Sequence, residues 1–290
     1  MPMQVWNRAE QKITQEPVVG EGAMRFVYET ALGRVLAKGI LCRKPVSDLY
    51  GLFQRSRLTR GKTRRFIRQY HISLEGCTKQ TFSSFNDFFT RQRLPEPDTT
   101  APGVLPAIAD SKLTALPIGD NTVFTVKDVP YTLAELLADE ALAAHYAGGL
   151  CLIFRLSPDD YHRYAYPDAG TQEAAVRIPG VLHSVNPIAG SLGVYRRNSR
   201  CRTLLHTAHF GDVIEMEVGA LLVGRICNHT ESAGAHFDKL QEKGYFAYGG
   251  STVILLLEPG RVRMDEDILT HSAQGIECKV RTGERIGEAL

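Results

Sequence analysis

The sequence has no CxxC pair: its six cysteines, Cys42, Cys77, Cys151, Cys201, Cys227 and Cys278, stand far apart. That spacing excludes the common zinc sites and a dense disulfide framework, and a reducing compartment is expected. Long apolar runs are missing as well. Residues 253–257 and 218–223 are among the longest, far below the roughly 20 residues that a spanning helix needs, so any membrane contact is expected to be peripheral. The opening MPMQVWNRAEQK lacks the basic-then-apolar order of a secretory signal, and no export is expected. Excess charge of one sign is nearly absent: the formal net charge is +2, which by itself argues for neither nucleic acid nor an acidic partner. No glycine-rich loop joins a strand to a helix in the manner of the phosphate-loop and dinucleotide motifs.

What is present is ordinary globular composition, with 43% hydrophobic and 23% charged residues over 290 positions, enough for one large domain or two modest ones. Met24, Val27, Tyr28, Ala31, Leu32, Val35 and Leu36 recur at intervals of three and four, which predicts an amphipathic helix over 21–40. Shorter helices are predicted at 48–53, 63–70 and 84–91, the last capped by Ser84. A proline-rich link follows at 94–106, and beyond it the pattern turns to strands, at 112–117, 122–126, 150–156, 174–186, 202–208, 212–226 and 252–257. One helix, 133–146, interrupts them, opened by the capping box Thr132-x-x-Glu135. Strands and helices do not alternate, so the expected class is α+β: a helical, membrane-apposed region 1–93, the link 94–106, and a mostly antiparallel β core over 107–290.

Arg55, Arg57, Arg60, Lys62, Arg64, Arg65 and Arg68 form a basic cluster interleaved with Leu58, Phe66 and Ile67. Such a cluster is either a solvated helix face or a peripheral anchor on anionic lipid. The aromatics are too few and too helically spaced for a base-stacking platform, so lipid ranks above nucleic acid. His206, His209, His229 and His236 invite a metal reading, but the two histidines of HTAHF are three apart and fall on opposite faces of a strand. No metal is expected.

The segment GYFAYGGSTVILLLE, residues 244–258, breaks a strand with Gly249-Gly250-Ser251-Thr252. Glycine inside a strand marks a bulge, a bend or a close approach of another group. The plain alternative is a structural bulge. The other is chemical: Ser251 attacks the carbonyl of Gly250, given a base for its proton and donors for the oxyanion. The peptide becomes an ester, elimination frees a C-terminus at Gly250, and hydrolysis with loss of ammonia leaves a pyruvoyl group in place of Ser251.

This segment resembles the glycine-serine-threonine cleavage motif of the phosphatidylserine decarboxylases. SFNDFFTR at Ser84, ADSKL at Ala109, LSPDDYHRYAYPDAG at Leu156, GVLHSVNPIA at Gly180 and VGALLVG at Val218 resemble other blocks of that family in order and spacing. The resemblance implies cleavage between Gly250 and Ser251, a covalent pyruvoyl cofactor derived from Ser251, and conversion of phosphatidylserine to phosphatidylethanolamine and CO2. It implies an Asp-His-Ser relay in which Asp110 is the acid, with Asp159 and Asp160 left as turn residues. His162 matches the first histidine of the family's His-Arg-x-His block, taken as the proton donor to substrate carbon. The second histidine, usually the cleavage base, is replaced by Ala165, and His183 on the following predicted strand is the candidate substitute. The implied partners are the phospholipid substrate, an anionic membrane surface at the cytoplasmic side, and the two cleavage products as a heterodimer that oligomerises. Two alternatives stand beside this: a decarboxylase of a free amino acid such as tryptophan, and a non-cleaving, non-catalytic relative.

Overall fold

In the computed structural model, which describes residues 3–16, 21–36, 42, 44–94, 98, 100–126, 129–184, 194–221, 225–247 and 251–290, the strand after the glycine pair runs through the middle of the largest sheet. All 7 residues of Ser251–Leu257 are buried. Gly211–Val218 and Leu150–Leu156 flank this strand, both antiparallel. Val253, Leu255 and Leu257 enter one core cluster, Ile254 and Leu256 another. Both faces of the sheet are therefore covered, which is why the segment reads as a continuous apolar run without alternation.

On one side the sheet continues through Ser111–Pro117, Glu277–Val280, Met3–Asn7 and Lys12–Glu16; on the other through Arg200–Thr207, Gly170–Gln172 and Ala235–Phe237. Met3–Asn7 runs parallel to Glu277–Val280, whereas the other pairings of this sheet are antiparallel. A smaller sheet, Arg225–Asn228, Glu242–Ala247 and Arg163–Ala165, packs against it, with Tyr164 and Phe246 in the same cluster as Val253. The class is α+β with a mostly antiparallel core.

The N-terminal region carries α1 (Glu21–Glu29), α2 (Ala31–Leu36), α3 (Lys44–Arg55), α4 (Arg60–Gln69) and α5 (Phe85–Phe89), with a 3₁₀ turn, Arg57–Thr59, before α4. The first predicted helix is divided at Thr30, whose hydroxyl donates to Phe26 O at 2.7 Å and accepts the Gly33 N–H at 2.9 Å, ending one helix while capping the next. Its predicted end, 37–40, lies outside the described residues. Ser84 caps α5 as foreseen, accepting the Asp87 N–H at 3.1 Å. Phe85, Phe88 and Phe89 are buried there with Phe82, and Phe66 of α4 meets Phe85 edge-on at 5.2 Å.

Other elements depart from expectation. The helix predicted at 133–146 splits into Leu133–Leu137 and Glu140–Ala144, because Ala138 takes a left-handed conformation (φ 51°) and Asp139 caps the second piece. The strand predicted at 212–226 ends at Val218 and a separate one starts at Arg225; the strand predicted at 174–186 is confined to Val176–Ile178 among the described residues. The hairpin Met3–Asn7 and Lys12–Glu16 was not anticipated.

Between the two sheets lies a buried ionic cluster. The Lys243 ammonium sits 2.6 Å from Glu217 Oε1 and 3.7 Å from Glu215 Oε1, and all three side chains are buried. Neither Glu215 oxygen has a hydrogen-bond partner among the described residues. Burial, aided by the negative charge of Glu217 and opposed by Lys243, pushes the Glu215 carboxyl up to about 8, so it is largely protonated at neutral pH.

Candidate active site

Strand register places the reacting side chains. Ser251 pairs with Leu156, the last residue of its strand. The chain leaving Leu156 therefore turns beside Ser251, closes a turn with Asp160 N–H donating to Ser157 O at 2.9 Å, and returns through His162, whose carbonyl accepts the Phe246 N–H at 2.9 Å. Side chains alternate along a strand, so Ser251 shares a face with Val253 and Leu255 and points into the layer from which His162 comes.

His162 Nδ1 lies 3.2 Å from Ser251 Oγ, and Nε2 lies 2.9 Å from the Ser157 carbonyl. A carbonyl only accepts, so Nε2 carries the ring proton and Nδ1 turns its lone pair toward the serine hydroxyl. Both residues are fully buried. The Phe89 ring stacks on the imidazole at 4.0 Å, which makes α5 one wall of the site. Burial, reinforced by the Arg91 charge and only partly opposed by the Ser157 carbonyl, pushes His162 down to about 3. The imidazole is neutral at ordinary pH.

Two buried cations hold the 157–160 turn. Lys112, 1% exposed, contacts Asp160 Oδ1 at 2.8 Å and Oδ2 at 2.9 Å, and Glu16 at 3.1 Å. Asp160 Oδ2 in turn accepts the Ser157 N–H at 2.6 Å. Burial pushes the Asp160 carboxyl up to about 6 against the pull of Lys112. Arg155 donates from Nε to Glu277 at 2.9 Å and from Nη1 to Ser157 Oγ at 2.9 Å. The group orienting His162 is thus a main-chain carbonyl, and the carboxylate stands one hydrogen bond farther back.

Of the residues singled out from sequence, the structure brings His162 and Ser251 together. Asp110 is bound elsewhere: Oδ2 accepts from Arg93 at 2.7 Å, and Oδ1 from the Thr282 N–H at 3.0 Å and hydroxyl at 3.1 Å. His183 Nδ1 lies 3.2 Å from Cys42 Sγ, while its main chain is gripped by the Asn198 amide. Burial pushes the Cys42 thiol up to about 11. Gly250 lies outside the described residues. Ala165 lines a cavity of about 800 Å³ with Arg93, Tyr161, Glu242, Tyr245 and Thr282, a cavity that neither Ser251 nor His162 lines. Among the described residues no three His, Cys, Asp or Glu side chains converge as metal ligands. His206 instead meets Asp212 at 2.8 Å and His209 meets Asp168 at 3.1 Å.

Sequence reasoning passed over Lys112, Arg155, Ser157 and Phe89. For the two cations a signal existed: SKLTAL and LIFRLS each set one charge inside an apolar strand, and a charge so placed must find a partner.

A family model described as phosphatidylserine decarboxylase matches residues 85–288. A phosphatidylserine decarboxylase proenzyme 2 of Clostridium acetobutylicum is 41% identical over 291 residues, 99% of each chain. Proenzymes of the same description from Chlamydia trachomatis and Clostridium novyi are each 38% identical, covering 97% and 99% of this chain and 96% and 100% of their own.

Proposed function

The chain belongs to the phosphatidylserine decarboxylase family, and on that premise we propose that it decarboxylates phosphatidylserine to phosphatidylethanolamine and CO2 with a pyruvoyl group made from its own Ser251. The observation that carries this reading is the buried Ser251 hydroxyl facing the unprotonated Nδ1 of His162 at the head of a central strand. His162 Nδ1 takes the hydroxyl proton as Oγ bonds to the Gly250 carbonyl carbon. The Gly250–Ser251 C–N bond then breaks, leaving an ester. Loss of the Ser251 Cα proton expels the Gly250 carboxylate, and water replaces the amino nitrogen, released as ammonia. In this assignment His162, not His183, serves the cleavage.

The residues present suit the group so formed: Ser251 is fully buried, the Phe89 ring walls off the imidazole, and Nδ1 is directed at the serine side chain. A pyruvoyl group supplies a carbonyl that takes a substrate amine and an electron sink as CO2 departs. In this reading His162 also returns the proton to substrate carbon. Because its cationic form is disfavoured by burial and by Arg91, it holds a proton only while negative charge develops beside it.

A lipid substrate is supported by the surface of the helical region. Leu49, Leu52 and Phe53 of α3 and Leu58 of the following turn are exposed, beside the arginines of α4. Among the described residues no helix is long and apolar enough to cross a membrane, so the chain works as a peripheral protein in this reading.

The test is intact mass under denaturing conditions after incubation at neutral pH. Wild type should give 1–250 and 251–290, the latter carrying the pyruvoyl mass, and release CO2 from phosphatidylserine vesicles. Ser251→Ala and His162→Ala should stay whole, with His162→Ala slowed by several powers of ten, while His183→Ala cleaves. Cleavage in His162→Ala with none in His183→Ala would reverse the assignment; an uncleaved wild type would end the pyruvoyl reading.

A further inference from the structure

Beside the 3₁₀ turn lies a cavity of about 610 Å³ lined by Arg57, Arg60, Lys79, Thr81, Ser83 and Asp87 together with the buried Phe82. Arg57 and Arg60 are three apart where the chain passes from the turn into α4. In 3₁₀ geometry residues three apart eclipse one another, so both guanidinium groups serve one face. Neither has an ion-pair partner among the described residues. The one acid among the described residues of the groove is already engaged: Asp87 accepts the Ser83 N–H at 2.9 Å and its hydroxyl at 3.0 Å, and meets Lys79 at 3.2 Å. Three cations against one carboxylate leave a net positive groove that the Thr81 hydroxyl also lines, which matches a tetrahedral oxyanion.

The frame around it is fixed. Ser56 accepts the Leu58 N–H at 3.2 Å, and the buried Thr59 hydroxyl accepts the Phe85 N–H at 2.9 Å while lying 2.7 Å from the Ser56 carbonyl. The turn is thereby joined to α5, whose Phe89 stacks on His162. Between the two arginines stands Leu58, 83% exposed. An exposed leucine flanked by unpaired arginines suits a bilayer interface, where the apolar tip enters the acyl region and the guanidinium groups remain at headgroup depth.

We propose that this groove binds the phosphate of an anionic membrane phospholipid, clamped by Arg57 and Arg60. The proposal rests on the reading that the chain works at a phospholipid surface, and it names a lipid-phosphate site that seats α4 and α5 on that surface.

The experiment measures binding of the full chain to phosphatidylcholine vesicles containing phosphatidylglycerol. It compares wild type, Arg57→Gln/Arg60→Gln, and Arg64→Gln/Arg65→Gln, which removes equal charge from α4 outside the groove. Circular dichroism checks the fold of each. The control pair should lose at most the about thirtyfold expected of two surface charges, and the groove pair at least about tenfold more than the control. Equal losses would overturn the groove while leaving a diffuse electrostatic membrane contact. Nuclear magnetic resonance titration with inorganic phosphate supplies the second arm. Perturbation of the Arg57 and Arg60 side-chain signals together with vesicle binding supports the site; phosphate binding without vesicle binding overturns the lipid as its source, and binding of neither overturns the proposal. None of these readouts uses self-cleavage, so an uncleaved Ser251 would leave them interpretable.

Discussion

His162 is held at both ring nitrogens, by the Ser157 carbonyl and the Ser251 hydroxyl, in surroundings that disfavour its charged form. Its folded pKa, about 3, lies below the ordinary 6.5. Between those values the unfolded chain takes up a proton that the native state refuses, so this histidine's share of native stability is present above about pH 6.5 and is lost as pH falls toward 3. From pH 7 to pH 5 the loss should be about 2 kcal/mol. Urea unfolding at the two pH values should show it in wild type and not in His162→Gln; equal pH dependence in both would refute the buried neutral imidazole. At this scale the serine was legible, because glycine pairs rarely interrupt an apolar strand without cause. The group behind the histidine was not. Ser157 acts through its backbone carbonyl, which leaves no trace in side-chain identity.

Strands were legible where burial on both faces made them continuous. Leu150–Leu156 matches its expected bounds, and Ser251–Leu257 differs by one residue. The hairpin Met3–Asn7 and Lys12–Glu16 escaped because its stabilising neighbour, Glu277–Val280, comes from the opposite end of the chain, and local patterning carries no record of so distant a pairing. The strand Gly211–Val218 held an unread sign of its partner: DVIEMEV sets Glu215 and Glu217 at alternate positions among apolar residues, and the facing strand Glu242–Ala247 supplies Lys243. Lys243→Met should destabilise the fold by about 3–5 kcal/mol, since it strands Glu217 without its counter-charge. Glu215→Gln should behave differently. The folded Glu215 pKa of about 8 is raised from 4.5, so the native state keeps a proton that the unfolded chain releases, and stability falls as pH rises through that window. Glu215→Gln should flatten the decline between pH 5 and 8 in thermal unfolding; an unchanged slope would show that Glu215 is ionised in the fold.

Residues 251–290 are woven through the whole molecule. Ser251–Leu257 lies between Gly211–Val218 and Leu150–Leu156, Glu277–Val280 lies between Ser111–Pro117 and Met3–Asn7, and Arg285–Ala289 joins Val262–Met264 to Val104–Pro106. The proposed cleavage before Ser251 would therefore cut a connection without removing a layer. The processed chain should run as two bands on a denaturing gel and as one species on native size exclusion, parting only in denaturant; separate elution under native conditions would contradict the interleaved topology. The register that sets Ser251 against Leu156, and so brings His162 to it, exists only after the middle of the sequence has met its C-terminal part. An unfolded copy has no base at its serine. In the proposed reading, the reaction that creates the cofactor therefore inspects the fold that performs it: misassembled copies would stay chemically inert, and each correct copy would be licensed once, at its own completion.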